Sequence, residues 1–108
     1  MTDAATIAAE NDDFRQHPSK GVLILTDGIR CNSAKDIAKI ITKVRNFKRF
    51  TKGNDPYGEH DFGSFIFNGH KIFWKIDTYD TRFLYISPYI SGVRLAHKVL
   101  TIMYAEEY

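Results

Sequence analysis

Cysteine is almost absent from this chain of 108 residues, in which Cys31 is the only one. A lone thiol excludes a disulfide within the chain and a cysteine-rich zinc site, so no oxidising compartment is needed. No apolar run approaches the length of a membrane span, and residues 1–10 lack the features of a secretory signal. We therefore expect a cytoplasmic protein that makes no membrane contact.

The chain also lacks repeats, low-complexity tracts and linker-like stretches, so its length predicts a single domain over residues 1–108. The spacings of common catalytic motifs (H-E-x-x-H, the P-loop and G-x-S-x-G) are missing as well. The net charge of +2 is too small for a dedicated DNA-binding protein. No cofactor is expected, because a domain of this size does not enclose a large cavity.

Apolar and aromatic residues are plentiful, and their spacing predicts an α+β fold. Helical spacing of Ile7, Asn11 and Phe14 predicts a first helix over Ala4–Gln16. The apolar run within Gly21–Thr26 is typical of a strand buried on both faces, central in its sheet. The expected order is α-β-α-β-β-β-α, a mostly antiparallel sheet of about four strands with helices packed on it.

The second predicted helix begins after Ser33, a good N-cap, with Asp36 placed to face the positive end of the helix. Its apolar residues fall on one face and its basic residues spread over the other. Between residues 33 and 52, seven basic residues stand against the single acid Asp36. They are Lys35, Lys39, Lys43, Arg45, Lys48, Arg49 and Lys52. This basic helix could contact nucleic-acid phosphates or an acidic protein, although a solvated amphipathic face is the more common meaning of such a pattern.

Asn68-Gly69 is a strong hairpin signal, which predicts paired strands over Phe62–Phe67 and His70–Tyr79. In this register Gly63 faces Trp74 and leaves space for its ring. The rest of the chain predicts four further elements. They are a tight turn at Asp80-Thr81, a strand at Arg82–Ile86, a loop at Ser87–Ser91 and a final helix at Gly92–Glu106.

If the hairpin ladder continues past Phe62, His60 comes opposite Asp77. A carboxylate can orient an imidazole and raise its basicity, which would suit proton transfer, and both groups can bind a divalent metal. The candidate catalytic residues are His60, Asp77 and Glu59, and the candidate metal ligands are His60, Asp61 and Asp77. A structural role for the same groups, capping the end of the hairpin, is the competing interpretation.

The segment from Asn54 to Gly63, NDPYGEHDFG, together with FWKID at Phe73–Asp77, resembles a bacterial family of small proteins of unknown function. The resemblance extends to the end of the chain, and members of that family are often carried on plasmids and other mobile elements. It supports the domain assignment and brings no activity with it.

Three functions follow as hypotheses. The first is a non-enzymatic binding module with a protein partner, or with nucleic acid bound by the basic helix, acting in conflict between a mobile element and its host. The second is a small metal- or histidine-dependent hydrolase or nuclease. The third is a homodimer formed through an aromatic sheet face that includes Phe62, Ile66, Phe73 and Leu84. The candidate binding residues are Asp55, Tyr57, Glu59, His60, Asp61, Asp77, Lys39, Lys43, Arg45 and Arg49.

Overall fold

Three helices pack on one face of a four-stranded sheet in the computed structural model of the protein, which describes residues 3–80 and 96–108. The helices are α1 (Ala4–Gln16), α2 (Asp27–Arg30) and α3 (Ala34–Arg45). The strands are β1 (Val22–Leu25), β2 (Phe62–Phe67), β3 (His70–Asp80) and β4 (Ala96–Tyr104). The strand order is β1-β4-β3-β2, with the β1–β4 pair parallel and the other pairs antiparallel. The predicted α+β class with a mostly antiparallel sheet is confirmed.

The two long helices begin where the sequence places their caps. Asp3 Oδ1 accepts a hydrogen bond from the Thr6 amide at 2.8 Å, and Ser33 Oγ accepts one from the Asp36 amide at 3.1 Å. Each cap satisfies an amide that has no partner within its helix. The predicted bounds of α1 and the predicted cap of α3 are therefore confirmed.

The hairpin forms in the predicted register. Phe67 pairs with His70, and Gly63 pairs with Trp74. Asn68 and Gly69 both have positive φ, 51° and 79°, as a two-residue hairpin turn requires. A Cβ at Gly63 would lie 2.5 Å from Nε1 of Trp74, so the glycine makes room for the buried indole.

The predicted final helix is wrong over Ala96–Tyr104, which forms β4, and only its last two residues fall in a short 3-10 helix, Ala105–Glu107. Ala96, Val99, Leu100 and Met103 have helical spacing, but β4 pairs with β3 on one side and β1 on the other, and long-range pairing overrides a local pattern. Of the predicted turn at Asp80-Thr81, Asp80 is instead the last residue of β3. Thr81, the predicted strand at 82–86 and the predicted loop at 87–91 lie outside the described residues, as do residues 92–95.

The predicted central position of β1 is also wrong. β1 pairs only with β4 among the described strands and lies at the edge of their sheet. Val22 and Ile24 are 40% and 45% exposed, whereas the alternating residues Leu23 and Leu25 pack against the core. After β1, Asp27 and Gly28 open the short helix α2.

The core lies between the helices and the sheet. Its fully buried residues include Ile40 and Val44 of α3, Ile72 and Trp74 of β3, and Ile102 of β4. We call the opposite side of the sheet the second face. No helix in the described part of the chain is both long enough and apolar enough to cross a bilayer.

Candidate functional site

The loop between α3 and β2 is organised by the buried carboxylate of Asp55. This side chain is 5% exposed, and its Oδ1 accepts hydrogen bonds from the amides of Glu59 and His60 at 3.0 and 3.1 Å. Gly58 and His60 have positive φ, 68° and 55°, so the chain turns sharply just before β2. Asp55 therefore holds the loop closed through its own backbone amides.

His60 lies between two carboxylates. Its Nδ1 is 3.0 Å from both carboxylate oxygens of Asp12 on α1, and its Nε2 is 3.6 Å from Oδ2 of Asp55. The imidazole stacks on Phe50 with ring centres 3.8 Å apart and planes 1° apart. The side chain is 29% exposed, so part of it remains accessible to solvent.

Arg15 continues this chain of contacts into the core, where its side chain is 2% exposed. It donates to Asp12 Oδ1 at 2.8 Å and to the carbonyl oxygens of Val44 and Phe47 at 2.9 and 3.0 Å. The guanidinium also lies 4.9 Å from the centre of a Trp74 ring. We call Arg15, Asp12, His60 and Asp55 the α1 network. It fastens α1 to the end of α3 and to the loop.

The predicted pair between His60 and Asp77 is not formed. The last backbone hydrogen bond of the hairpin runs from the Ile76 amide to the Asp61 carbonyl oxygen at 2.8 Å. Positive φ at His60 then takes its side chain off the ladder and towards α1. Asp77 lies on the second face, where its Oδ2 is 3.0 Å from Nζ of Lys75. The pairing failed because it assumed an extended backbone through residue 60.

The candidate metal ligands are not brought together. Within residues 3–80 and 96–108, no three histidine, cysteine or carboxylate side chains converge closely enough to hold a metal ion. Asp12 and Asp55 approach different nitrogens of His60, so the two carboxylates cannot share one ion with a single imidazole nitrogen. Cys31 is exposed, and Tyr57 of the loop is 78% exposed.

A second polar group lies beneath α1, next to the network. Nζ of Lys98 donates to Asn11 Oδ1 at 2.7 Å and to Thr78 Oγ1 at 3.3 Å. Asn11 in turn donates to the carbonyl oxygen of Glu59 at 2.9 Å. Sequence reasoning missed Lys98, because it was assigned to a helix rather than to the central strand β4.

Burial shifts the titration of three groups in this area. It is the main cause that raises the pKa of Glu59 and of Asp61 above their ordinary values, and neighbouring carboxylates add to both shifts. Burial also lowers the pKa of Lys98. Lys98 is bonded to Asn11 and Thr78, and a perturbed pKa also arises in structural networks.

The basic residues of the predicted binding helix divide into two sets. Arg45 turns back to α1, where its Nε donates to the carbonyl oxygen of Gln16 at 3.1 Å. Lys43 and Arg49 instead line a hollow of about 700 Å³ between the end of α3 and β2. We call this hollow the α3 groove. Lys39 lines an adjoining hollow of about 480 Å³, which shares Thr42 and Lys43 with the groove.

Four cations line the α3 groove, and no acidic side chain among the described residues lines it. They are Lys43, Lys48, Arg49 and Lys71. None of the four forms an ion pair within the described part of the chain. Lys48 and Lys71 were not among the predicted binding residues. Lys71 is on β3, so only the folded hairpin places it beside α3.

The second face carries the aromatic residues expected at a dimer interface. The rings of Phe62 and Phe73 lie 5.1 Å apart, and Tyr108 lies 5.6 Å from Phe73. The helices of the described chain pack on the opposite face, so they do not cover these rings. Leu84, the remaining predicted member of this surface, lies outside the described residues. A homodimer through this face stays a prediction.

Fold and site together define a small α+β protein in which a buried polar network and a groove lined by cations without described acidic partners adjoin at Phe47. The chain matches the family described as "Protein of unknown function (DUF3768)" over residues 25–107, and it belongs to that family. This confirms the resemblance to a family of unknown function. The match begins after α1, so Asp12 and Arg15 precede it. No curated protein and no solved structure matches the chain significantly.

Proposed function

We propose that the protein is a non-enzymatic binding module that holds an acidic partner protein in the α3 groove. The observation that carries this proposal is that the charged groups of the α1 network contact one another, whereas the cations of the groove have no acidic partner among the described residues. The carboxylates and imidazole of the α1 network contact one another and the backbone, whereas Lys43, Lys48 and Arg49 have no acidic partner in the part of the chain that the structure describes. Uncompensated like charges around a groove attract an oppositely charged surface and guide its approach.

The resemblance to plasmid-borne proteins supports a setting for such a module. A protein that travels on a mobile element meets the defence and regulatory proteins of each new host. A groove that recognises an acidic protein surface would let such a protein bind and inhibit a host protein without catalysing a reaction. We therefore propose a role in mobile-element and host conflict, with a host- or element-encoded protein as the partner.

A polyanion titration tests the groove. Labelled poly-L-glutamate should bind the protein, and the affinity should fall as salt rises, because salt screens exposed charges. In Lys43→Glu/Arg49→Glu, which reverses two charges of the groove, we expect binding to weaken by at least about tenfold. The control Arg30→Glu/Lys52→Glu makes the same change in net charge at residues that do not line the groove. Equal losses in both variants would mean that binding depends on net charge alone, and the proposal would fail.

A hydrolase or nuclease with His60 as general base is the second candidate. The observation that favours it is the Asp12–His60 contact, since a carboxylate on Nδ1 orients an imidazole for proton transfer. The position of Asp55 weighs against it. A general base needs Nε2 directed at a substrate, but here Nε2 faces Asp55 Oδ2 at 3.6 Å, and Asp55 also holds two loop amides. His60→Gln separates the candidates, because it should abolish hydrolysis yet leave polyanion binding intact.

A further inference from the structure

The outer edge of β2 carries backbone groups that no described strand uses. In an antiparallel pair, alternate residues exchange both hydrogen bonds with the partner strand, and the residues between them point away from it. The bond from the Ile76 amide to the Asp61 carbonyl oxygen sets this alternation. Gly63, Phe65 and Phe67 are therefore the residues that bond to β3.

The residues between them direct their N–H and C=O groups to the outer edge. They are Phe62, Ser64 and Ile66. β3 is the only neighbour of β2 in the sheet of described strands, and these outward groups make no hydrogen bond to any described residue. Ile66 is also 61% exposed. An exposed edge of this kind is a template for another extended chain.

The α3 groove runs along this same edge. Its lining includes both Phe65 and Ile66, whose side chains point to opposite faces of the sheet. Together with Ser64, these residues place β2, the edge strand of the described sheet, along one wall of the hollow. The cations Lys43 and Arg49 border it on the helix side, and Lys71 borders it on the second face.

We propose that an extended acidic segment of the partner protein adds to β2 as a further strand, and this inference rests on the binding function proposed above. Its backbone bonds to the outward groups of Ser64 and Ile66. Side chains on one face of the added strand are acidic and meet Lys43 and Arg49. Those on the other face alternate with them and rest on Ile66, so an alternating acidic and apolar segment fits.

The rings in the groove favour a peptide over a single-stranded nucleic acid. Sequence-tolerant binding of a nucleic-acid strand uses exposed aromatic rings on which bases stack. The aromatic residues that line the groove are Phe47 and Phe65. Phe47 is 7% exposed, and Phe65 packs against the core. Phe47 is closed to a base and Phe65 is partly covered, whereas the strand edge offers the paired donors and acceptors that a peptide backbone matches.

The test uses a labelled, acetylated peptide of alternating Glu and Val, about eight residues long, the length of an ordinary strand. Binding is followed by fluorescence anisotropy. Ile66→Pro removes an amide that points away from β3, so edge pairing is lost while the hairpin is kept. We expect it to weaken binding by about tenfold or more, and by clearly more than Ile66→Thr, which keeps the amide and loses only part of the apolar contact.

A second experiment changes the peptide and leaves the protein as wild type. The same peptide, N-methylated on alternate residues, cannot pair with a strand edge but keeps its charge and side chains. We expect it to lose affinity to a similar extent. If wild-type protein binds both peptides equally, or if Ile66→Pro, shown by circular dichroism to be folded, binds as wild type does, strand addition is wrong and the charged groove alone accounts for binding.

Three probes distinguish a failure of strand addition from a failure of the proposed binding function. Binding of poly-L-glutamate, but not of the alternating peptide, would overturn strand addition and leave the acidic-partner groove standing. Preference for a single-stranded oligonucleotide of about 16 nucleotides, bound by wild type and lost in Lys43→Glu/Arg49→Glu, would replace the protein partner with nucleic acid. The absence of binding to all three probes would contradict both proposals.

Discussion

The α1 network and the α3 groove hold charged side chains in opposite ways. In the network, Arg15 and Asp55 are almost fully buried, and each makes several hydrogen bonds to backbone groups or neighbours. In the groove, Lys43 and Arg49 are exposed and have no carboxylate among the described residues. Buried charges that satisfy one another fix a structure, whereas exposed charges of one sign contribute little to stability and remain available to a partner.

The largest effect should come from removing the buried guanidinium. Arg15→Ala leaves the carbonyl oxygens of Val44 and Phe47 and the carboxylate of Asp12 without their donor. We expect the free energy of unfolding to fall by about 3 kcal/mol or more, as measured by urea denaturation. The control Arg49→Ala, at an exposed cation of the groove, should change it by less than about 0.5 kcal/mol. If both variants lost a similarly small amount of unfolding free energy, the contrast between the α1 network and the α3 groove would be wrong.

A smaller loss should follow from removing the carboxylate that closes the loop. Asp55→Ala leaves the amides of Glu59 and His60 without an acceptor, so we expect a loss of about 1–3 kcal/mol in urea denaturation. Tyr57→Ala changes an exposed side chain in the same loop and serves as the matched control. If the Asp55 variant kept full stability, the carboxylate would be held in place for some other purpose, and a functional role would gain support.

The pH dependence of stability should show a smaller contribution from Glu59 and Asp61. Burial raises the pKa of both carboxyls, so the folded protein keeps their protons where the unfolded chain has released them. Their contribution to stability is therefore present at low pH and is lost as pH rises from the ordinary values, 3.8 for Asp61 and 4.5 for Glu59, through the raised folded values.

Asp61→Asn and Glu59→Gln should remove this loss, so each variant should gain stability relative to wild type as pH rises through that window. Thermal unfolding across the acid range measures the difference. Asp27→Asn, at a side chain that is 96% exposed, is the control. If the variants instead gained stability relative to wild type as pH falls, the pKa values of Glu59 and Asp61 would be lowered in the folded protein and not raised.

The smallest effect on stability is expected in the groove itself. Lys43→Glu/Arg49→Glu should alter the unfolding free energy by no more than about 0.5 kcal/mol, because exposed charges without partners contribute little to the fold. Urea denaturation of this variant beside Arg15→Ala sharpens the contrast between the two regions. A loss of stability as large as that of Asp55→Ala would show that the groove cations hold the protein together.

Local signals predicted the parts of the fold that local chemistry determines. The positive φ values at Asn68-Gly69 fix the hairpin register, and Ser33 caps α3 through an amide three residues away. β4 was assigned to a helix because Val99, Leu100 and Met103 have helical spacing, although Leu100 and Ile102 also alternate as in a strand. Its parallel partner β1 lies far away in sequence, and no local pattern records such a pairing.

The candidate site was predicted in its residues but not in its geometry. His60 and Asp55 were singled out, yet the carboxylate that contacts Nδ1 of His60 belongs to Asp12, 48 residues away. One signal was present: Asn11 falls on the buried face of α1, and a polar residue there needs a partner. The α3 groove also depends on residues that are distant in sequence. Lys71 comes beside Lys43 and Arg49 only after the hairpin has packed against α3.

The most direct test titrates labelled poly-L-glutamate against His60→Gln and Lys43→Glu/Arg49→Glu in parallel. If the network is structural and the groove is the binding surface, His60→Gln binds within about threefold of wild type and the double variant loses at least about tenfold. Loss of binding in His60→Gln, with the double variant unaffected, would place recognition in the loop and contradict the account.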